Sequence, residues 1–169
     1  MYDYNSDMGF LTSIWGPMLW TVLHIISLNY PVKPTKEQQD HYYDFIMTLP
    51  NVLPCGACRV NMRKNMRKVG FSKAKVFKNR ESFARWLHAL HNEVNRMLDH
   101  PVLESFEDMR DTFEMFRAKC GKPKPGQKEN GCVEPVHKVK TKCVLSILPI
   151  NVPSGSSSIY IDESCYGGS

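Results

Sequence analysis

A chain of 169 residues is sized for one compact domain with an appendage, because domains commonly run to about 100–150 residues, and two independent cores are not expected. Its formal charge of +5 is uneven: Arg59, Arg63, Lys64, Arg67, Lys68, Lys73, Lys75, Lys78 and Arg80 follow one another with no carboxylate between them. That field suits an acidic partner, nucleic acid or the phosphates of a cofactor, or is the solvated face of a helix and loop. Met1 to Asp7 has two acids and no basic stretch, and no later run of apolar residues is long enough to span a bilayer, so neither a cleaved signal peptide nor a membrane span is expected.

In chain order, Ile14, Met18, Val22 and Ile26, with Leu19 and Leu23, mark a broad apolar face of a helix over roughly 12–29, and Tyr30-Pro31 provides its exit. Thr35 and Gln38 have capping-box spacing and open a second helix, whose Tyr42, Phe45, Ile46 and Leu49 carry it to about 49. A third starts at Cys55 after Pro54, contains Val60, Met62, Met66 and Val69, and stops at Gly70. The fourth, Glu81 to Leu98, is the clearest, because Phe83, Leu87, Leu90, Val94 and Met97 recur at three- and four-residue intervals. Phe106, Met109, Phe113 and Phe116 define a fifth helix from about 102 to 118.

The pattern predicts an all-α bundle. From Cys120 the composition changes: Lys122-Pro123-Lys124-Pro125-Gly126 breaks regular structure, Val144 to Leu148 reads as a short strand, and Ser154 to Ser158 is linker-like. The expected organisation is a domain over 1–118 and a loosely ordered, cysteine-containing extension over 119–169.

Six cysteines lie at 55, 58, 120, 132, 143 and 165, and their number does not identify the pairs. Cys55-Gly56-Ala57-Cys58 places two sulfurs on neighbouring turns of a helix start, where backbone N–H groups and the nearby Arg59 and Arg63 favour a thiolate. The same spacing fits half of a zinc site completed by other cysteines or a histidine, or an inert structural pair. No second short-spaced cysteine pair completes a zinc site, and the redox reading is preferred; no metal is expected. Trp20 and His24 are one helical turn apart, as are His91 and Asn95, so each pair can address one ligand from a single face. Stacking by Trp86 and hydrogen bonds from His24, His91, Asn92 or Asn95 suit an aromatic cofactor, although Trp and His are also ordinary helix-packing residues.

The joint order of Trp20-x-x-x-His24, Cys55-Gly56-Ala57-Cys58 and Trp86-x4-His91-Asn92-Glu93-Val94-Asn95-Arg96 resembles the Erv/ALR family of flavin-linked sulfhydryl oxidases, especially the compact versions of large DNA viruses. The resemblance covers about residues 12–98 and extends weakly to about 118. It implies a homodimer of FAD-binding four-helix bundles with a short fifth helix. Trp20, His24, Trp86, His91, Asn92 and Asn95 then match flavin or adenine contacts, Tyr30 a further contact, and Lys78 and Arg96 phosphate or ribose partners.

The family order makes Cys58 the flavin-proximal sulfur and Cys55 the interchange sulfur. Thiols of reduced proteins, or of a thioredoxin-like carrier, are oxidised to disulfides, and dioxygen takes the electrons as hydrogen peroxide. Location in the host cytoplasm, the viral factory or the virion follows from the viral resemblance, and neither membrane nor nucleic acid is an expected partner. This chain lacks the structural cysteine that relatives carry soon after His-Asn-x-x-Asn. Cys120, Cys132, Cys143 and Cys165 are left to form structural disulfides, a shuttle to Cys55, or both. The competing class is a zinc-stabilised helical module binding nucleic acid through residues 59–80.

Overall fold

The computed structural model describes residue 4 and residues 8–103, 105–121 and 131–137. They fall into two compact units, the first ending at Leu103. The expected strand at 144–148 and linker at 154–158, with Cys143 and Cys165, lie outside the described residues.

The first unit is built from α1 (Thr12–Leu28), α2 (Lys36–Val52), α3 (Gly56–Lys68), the single turn α4 (Lys73–Val76) and α5 (Arg80–Met97). Each boundary has a local cause. Thr35 Oγ1 accepts the Gln38 N–H at 3.2 Å, and Gln38 Oε1 accepts the Thr35 N–H at 2.9 Å, closing the capping box of α2. α2 runs through Pro50 to Val52, and Leu53 is then extended (φ −62°, ψ 134°), as a residue preceding a proline prefers.

α3 ends in a Schellman turn. Gly70 takes a left-handed φ of 74°, its N–H reaches Arg67 O at 3.1 Å, and the Phe71 N–H reaches Met66 O at 3.1 Å. α5 opens on Asn79, whose Oδ1 accepts the Ser82 N–H at 2.9 Å, and closes with Asp99 at a φ of 56° and the His100 N–H on Asn95 O at 2.8 Å.

α1 and α5 pack together, and α2 and α5 each pack on α3. Trp20, Leu23, Ile46, Leu49, Met62, Met66, Phe83, Trp86, Leu87 and Leu90 fill the centre. At one end Tyr30 is wholly buried among Tyr42, Phe77 and Phe83, with ring centroids at 4.6, 6.0 and 5.5 Å, all edge to face. Its hydroxyl donates to Phe77 O at 3.0 Å, and Arg80 Nε donates to Tyr30 O at 2.6 Å. Burial, with Tyr42 adding to it, pushes the Tyr30 phenol up to about 12.

α1 buries part of the face its apolar spacing predicts, with Leu23 buried and Leu19 and Ile26 packed on the core, but the inner face is shifted from the expected one. Met18 and Val22 are exposed, whereas Trp20, Leu23, His24, Ser27 and Leu28 are buried. The helix is apolar on nearly every side, so periodicity alone does not choose the inner face. The partner helix does, by offering His91 to His24.

The second unit holds α6 (Phe106–Glu114) and the antiparallel strands β1 (Ala118–Cys120) and β2 (Cys132–Pro135). Ser105 caps α6, its Oγ accepting the Asp108 N–H at 3.2 Å, and Phe106, Met109 and Phe113 are buried. The helix is shorter than the expected 102–118 at both ends. Its start is fixed by the Ser105 cap, and beyond Glu114 the backbone is drawn into the strand pair, where Cys120 stands opposite Cys132 and is disulfide-bonded to it.

Candidate active site

Pro54 and the extended Cys55 deliver the chain into α3, so the Cys55–Cys58 disulfide sits on the helix N-terminus. Cys55 is itself the N-cap: its Sγ accepts the Cys58 N–H at 3.2 Å. Unpaired N–H groups and the helix dipole there stabilise negative charge on whichever sulfur is released. Both cysteines are half-buried, but they face different surroundings. Cys58 packs against the central aromatic core, while Cys55 lines a cavity of about 760 Å³.

On the facing helices, α1 and α5 bring Trp20, His24 and His91 together. The Trp20 ring lies on the His91 ring at 4.1 Å and 7°, and His24 Nε2 is 2.9 Å from His91 Nδ1. One ring nitrogen must donate and the other accept, which fits two neutral imidazoles. Burial drives His24 down to about 3, helped by the charge of His88. Burial drives His91 down to about 2, with His24 and His88 adding to the effect.

Trp86 is buried beside Phe71, at a centroid distance of 5.0 Å, and its indole N–H has no acceptor among the described residues. A buried donor left unmet costs about 1–3 kcal/mol. An aromatic heterocycle bearing carbonyl or ring-nitrogen acceptors answers that defect, and neutral imidazoles beside stacked indoles are chemically compatible with it. The residues present therefore fit a flavin.

The remaining candidates are placed as follows. Asn95 is buried. Asn92 spends its side chain on the segment after α5: its Oδ1 accepts the Leu103 N–H at 2.7 Å, and its Nδ2 lies 3.3 Å from His88 Nε2. Lys78 and Arg96 are exposed, with Arg96 3.6 Å from the Glu93 carboxylate that Lys68 also meets at 2.5 Å. Among the described residues no cluster of three or more His, Cys, Asp or Glu is arranged to hold a metal ion.

Sequence reasoning missed Met8 to Leu11, which lie against the disulfide. The Phe10 N–H donates to Pro54 O at 3.0 Å, and Trp15 Nε1 donates to Phe10 O at 3.0 Å. No periodicity marks so short a segment; a glycine just ahead of a helix start was its one signal.

The fold and a helix-start disulfide, in a bundle that also buries this aromatic and imidazole cluster, define a helical-bundle dithiol–disulfide oxidoreductase. Residues 17–115 match the Erv1 / Alr family. The chain belongs to that family. Among its relatives is a probable FAD-linked sulfhydryl oxidase of Acanthamoeba polyphaga mimivirus, 36% identical over 99 residues, a stretch covering 55% of this chain and 68% of the relative. A putative FAD-linked sulfhydryl oxidase of Invertebrate iridescent virus 6 is 31% identical over 53% of this chain and 84% of the relative. The crystal structure of the yeast Erv1 core superposes with a TM-score of 0.51 at 26% identity, over 68% of this chain and 87% of that one.

Proposed function

We infer that this chain is a FAD-linked thiol oxidase that makes disulfides in protein substrates, with Cys55 and Cys58 as its working sulfurs. The observation that carries the reading is the division of labour at the disulfide: Cys55 borders an open cavity and Cys58 packs against the aromatic core. A substrate thiolate attacks Cys55, and Cys58 leaves as a thiolate stabilised by the start of α3 and the positive charge of Arg59. A second substrate thiolate then resolves the mixed disulfide, leaving Cys55 and Cys58 reduced.

FAD, when bound, would supply a two-electron acceptor for that pair and a route to dioxygen, with hydrogen peroxide as the product. Trp20, His24, Trp86, His91 and Asn95 would hold the cofactor, with Tyr30 and Asn92 fixing the walls and Lys78 and Arg96 serving its phosphates or ribose. The neutral His24–His91 pair brings no buried charge that demands a counter-ion, and a bound flavin would offer the Trp86 indole N–H an acceptor. We further propose a catalytic domain over 1–118 and an extension over 119–169 whose cysteines act structurally or as a shuttle.

Relatives of this chain are encoded by mimivirus, iridescent virus and African swine fever virus. On that basis we place its action in a virus-encoded pathway of the host cytoplasm, the viral factory or the virion, with reduced proteins or a thioredoxin-like carrier as electron donors. Exposed Met18, Val22 and Ile25, at helical spacing on α1, support a homodimer. The deciding experiment is anaerobic reduction of the purified holoprotein by a dithiol, followed by admission of oxygen. The expected outcome is a bleached flavin spectrum that recovers on aeration with release of peroxide; a colourless protein, or no bleaching, defeats the reading.

A further inference from the structure

The cavity beside Cys55 has two unlike walls. One is the segment Met8–Leu11, whose Phe10 and Leu11 are 77% and 70% exposed. The other is the first turns of α3, with Val60, Arg59 and Arg63.

The Met8–Leu11 segment is seated by close backbone contact. A Cβ on Gly9 would stand 2.6 Å from Pro54 O, so only glycine permits this approach to the residue ahead of the redox cysteine. Arg59 helps to tie the chain down, donating to Leu53 O at 2.8 Å and to Tyr4 O at 2.6 Å with its guanidinium over the Tyr4 ring. Arg63 donates to Arg59 O at 3.3 Å and to the Asn51 side chain. Among the described residues, no carboxylate meets either arginine. Among the described residues their partners are carbonyl and amide oxygens and the Tyr4 ring, all neutral.

We propose that this cavity is the docking groove for an extended cysteine-bearing segment of a client protein, one that places an apolar side chain on Phe10, Leu11 and Val60 and a carboxylate near Arg63. The proposal rests on the oxidase reading of Cys55 and adds the client's local chemistry. Apolar surface left exposed around a redox sulfur favours partly unfolded chains, whose buried residues are still available. Two arginines with no carboxylate partner among the described residues favour acidic segments and draw the client thiol toward its thiolate.

The chemistry balances. The docked thiolate forms a bond to Cys55 Sγ as the Cys55–Cys58 bond breaks, its proton going to solvent and the electron pair to Cys58. A second client thiolate then attacks the client sulfur of the mixed disulfide and releases Cys55. Two client thiols become one disulfide, and Cys55 and Cys58 hold the two electrons.

The test uses the full chain carrying Cys58→Ser, with the adduct at Cys55 located by peptide mapping. The probes are short peptides with one cysteine activated as an aromatic mixed disulfide and flanked by Leu and Glu, or by Leu and Lys. The Glu peptide is expected to react with Cys55 roughly tenfold faster at low salt, with the preference shrinking in about 1 M salt. Adding Arg63→Glu, at an exposed position that does not threaten folding, should abolish or invert that ratio, and Phe10→Ser should slow both peptides.

Equal rates for the two peptides, or a ratio unmoved by Arg63→Glu, overturn the proposal. So does Cys55 bridged to Cys143 or Cys165 of its own chain, or to a second copy, in preference to the peptide. If the unmodified protein fails even to oxidise dithiothreitol with oxygen uptake, the oxidase reading itself has fallen. If it does so without peptide preference, only the groove has.

Discussion

The two disulfides of the described chain stand in unlike surroundings. Cys55–Cys58 closes a loop of four residues on a helix N-terminus, whereas Cys120–Cys132 joins facing positions of two strands across a longer loop. In the chain-entropy view the longer loop stabilises more, about 3 kcal/mol against about 2 kcal/mol. The shorter loop also lies at a helix N-terminus, where the dipole and nearby arginines would stabilise a released thiolate. The lesson is that the surroundings of a cystine, more than the cystine itself, set how readily one of its sulfurs leaves as a thiolate.

The largest effect that sharpens this contrast is loss of turnover. Cys58→Ser should abolish oxygen uptake with any dithiol while the purified protein stays yellow, and Cys55→Ser should do likewise; wild-type rates in either variant would defeat the electron path. Replacing Cys120 and Cys132 together by serine should lower stability by up to about 3 kcal/mol, seen as a shifted denaturant midpoint. Loss of protein-thiol oxidation with small-dithiol oxidation kept would instead make that second bond a shuttle.

Acid should separate the regions too. His24 and His91 have depressed folded values, about 3 and about 2, so their contribution is complete above the ordinary value of about 6.5. As pH falls below that, the unfolded chain binds protons that the folded one refuses, and each histidine costs up to about 1.4 kcal/mol per pH unit. Urea titrations at stepwise lower pH should show the loss for the intact protein and a smaller slope for His24→Asn. The smallest effect concerns the cap: Cys55→Ser keeps a side-chain acceptor for the Cys58 N–H and Cys55→Ala does not, so the serine variant should melt later by about 1 kcal/mol.

Helix existence and most boundaries were legible because the signals are local: the Thr35–Gln38 box, Pro54 ahead of Cys55, and the left-handed Gly70. The end of the fifth helix was not, since Phe116 prolongs an apolar period that the chain abandons to pair with a strand more than ten residues on. The inner face of α1 was also hidden. Its polar His24 and Ser27 go in beside Leu23 while Met18 and Val22 stay out, a shift that accompanies the contact of His24 with a histidine 67 residues away in sequence. Spacing paired Trp20 with His24 and His91 with Asn95 as candidate contacts of one ring, the family resemblance strengthened that reading, and the Met8–Leu11 wall escaped both.

The unmet indole donor of Trp86 has a consequence for abundance. A ligand that supplies its acceptor stabilises the folded state by mass action, so flavin concentration sets how much of this protein survives cellular proteolysis. Starving the producing cell of riboflavin should thin the population of molecules as well as idle them.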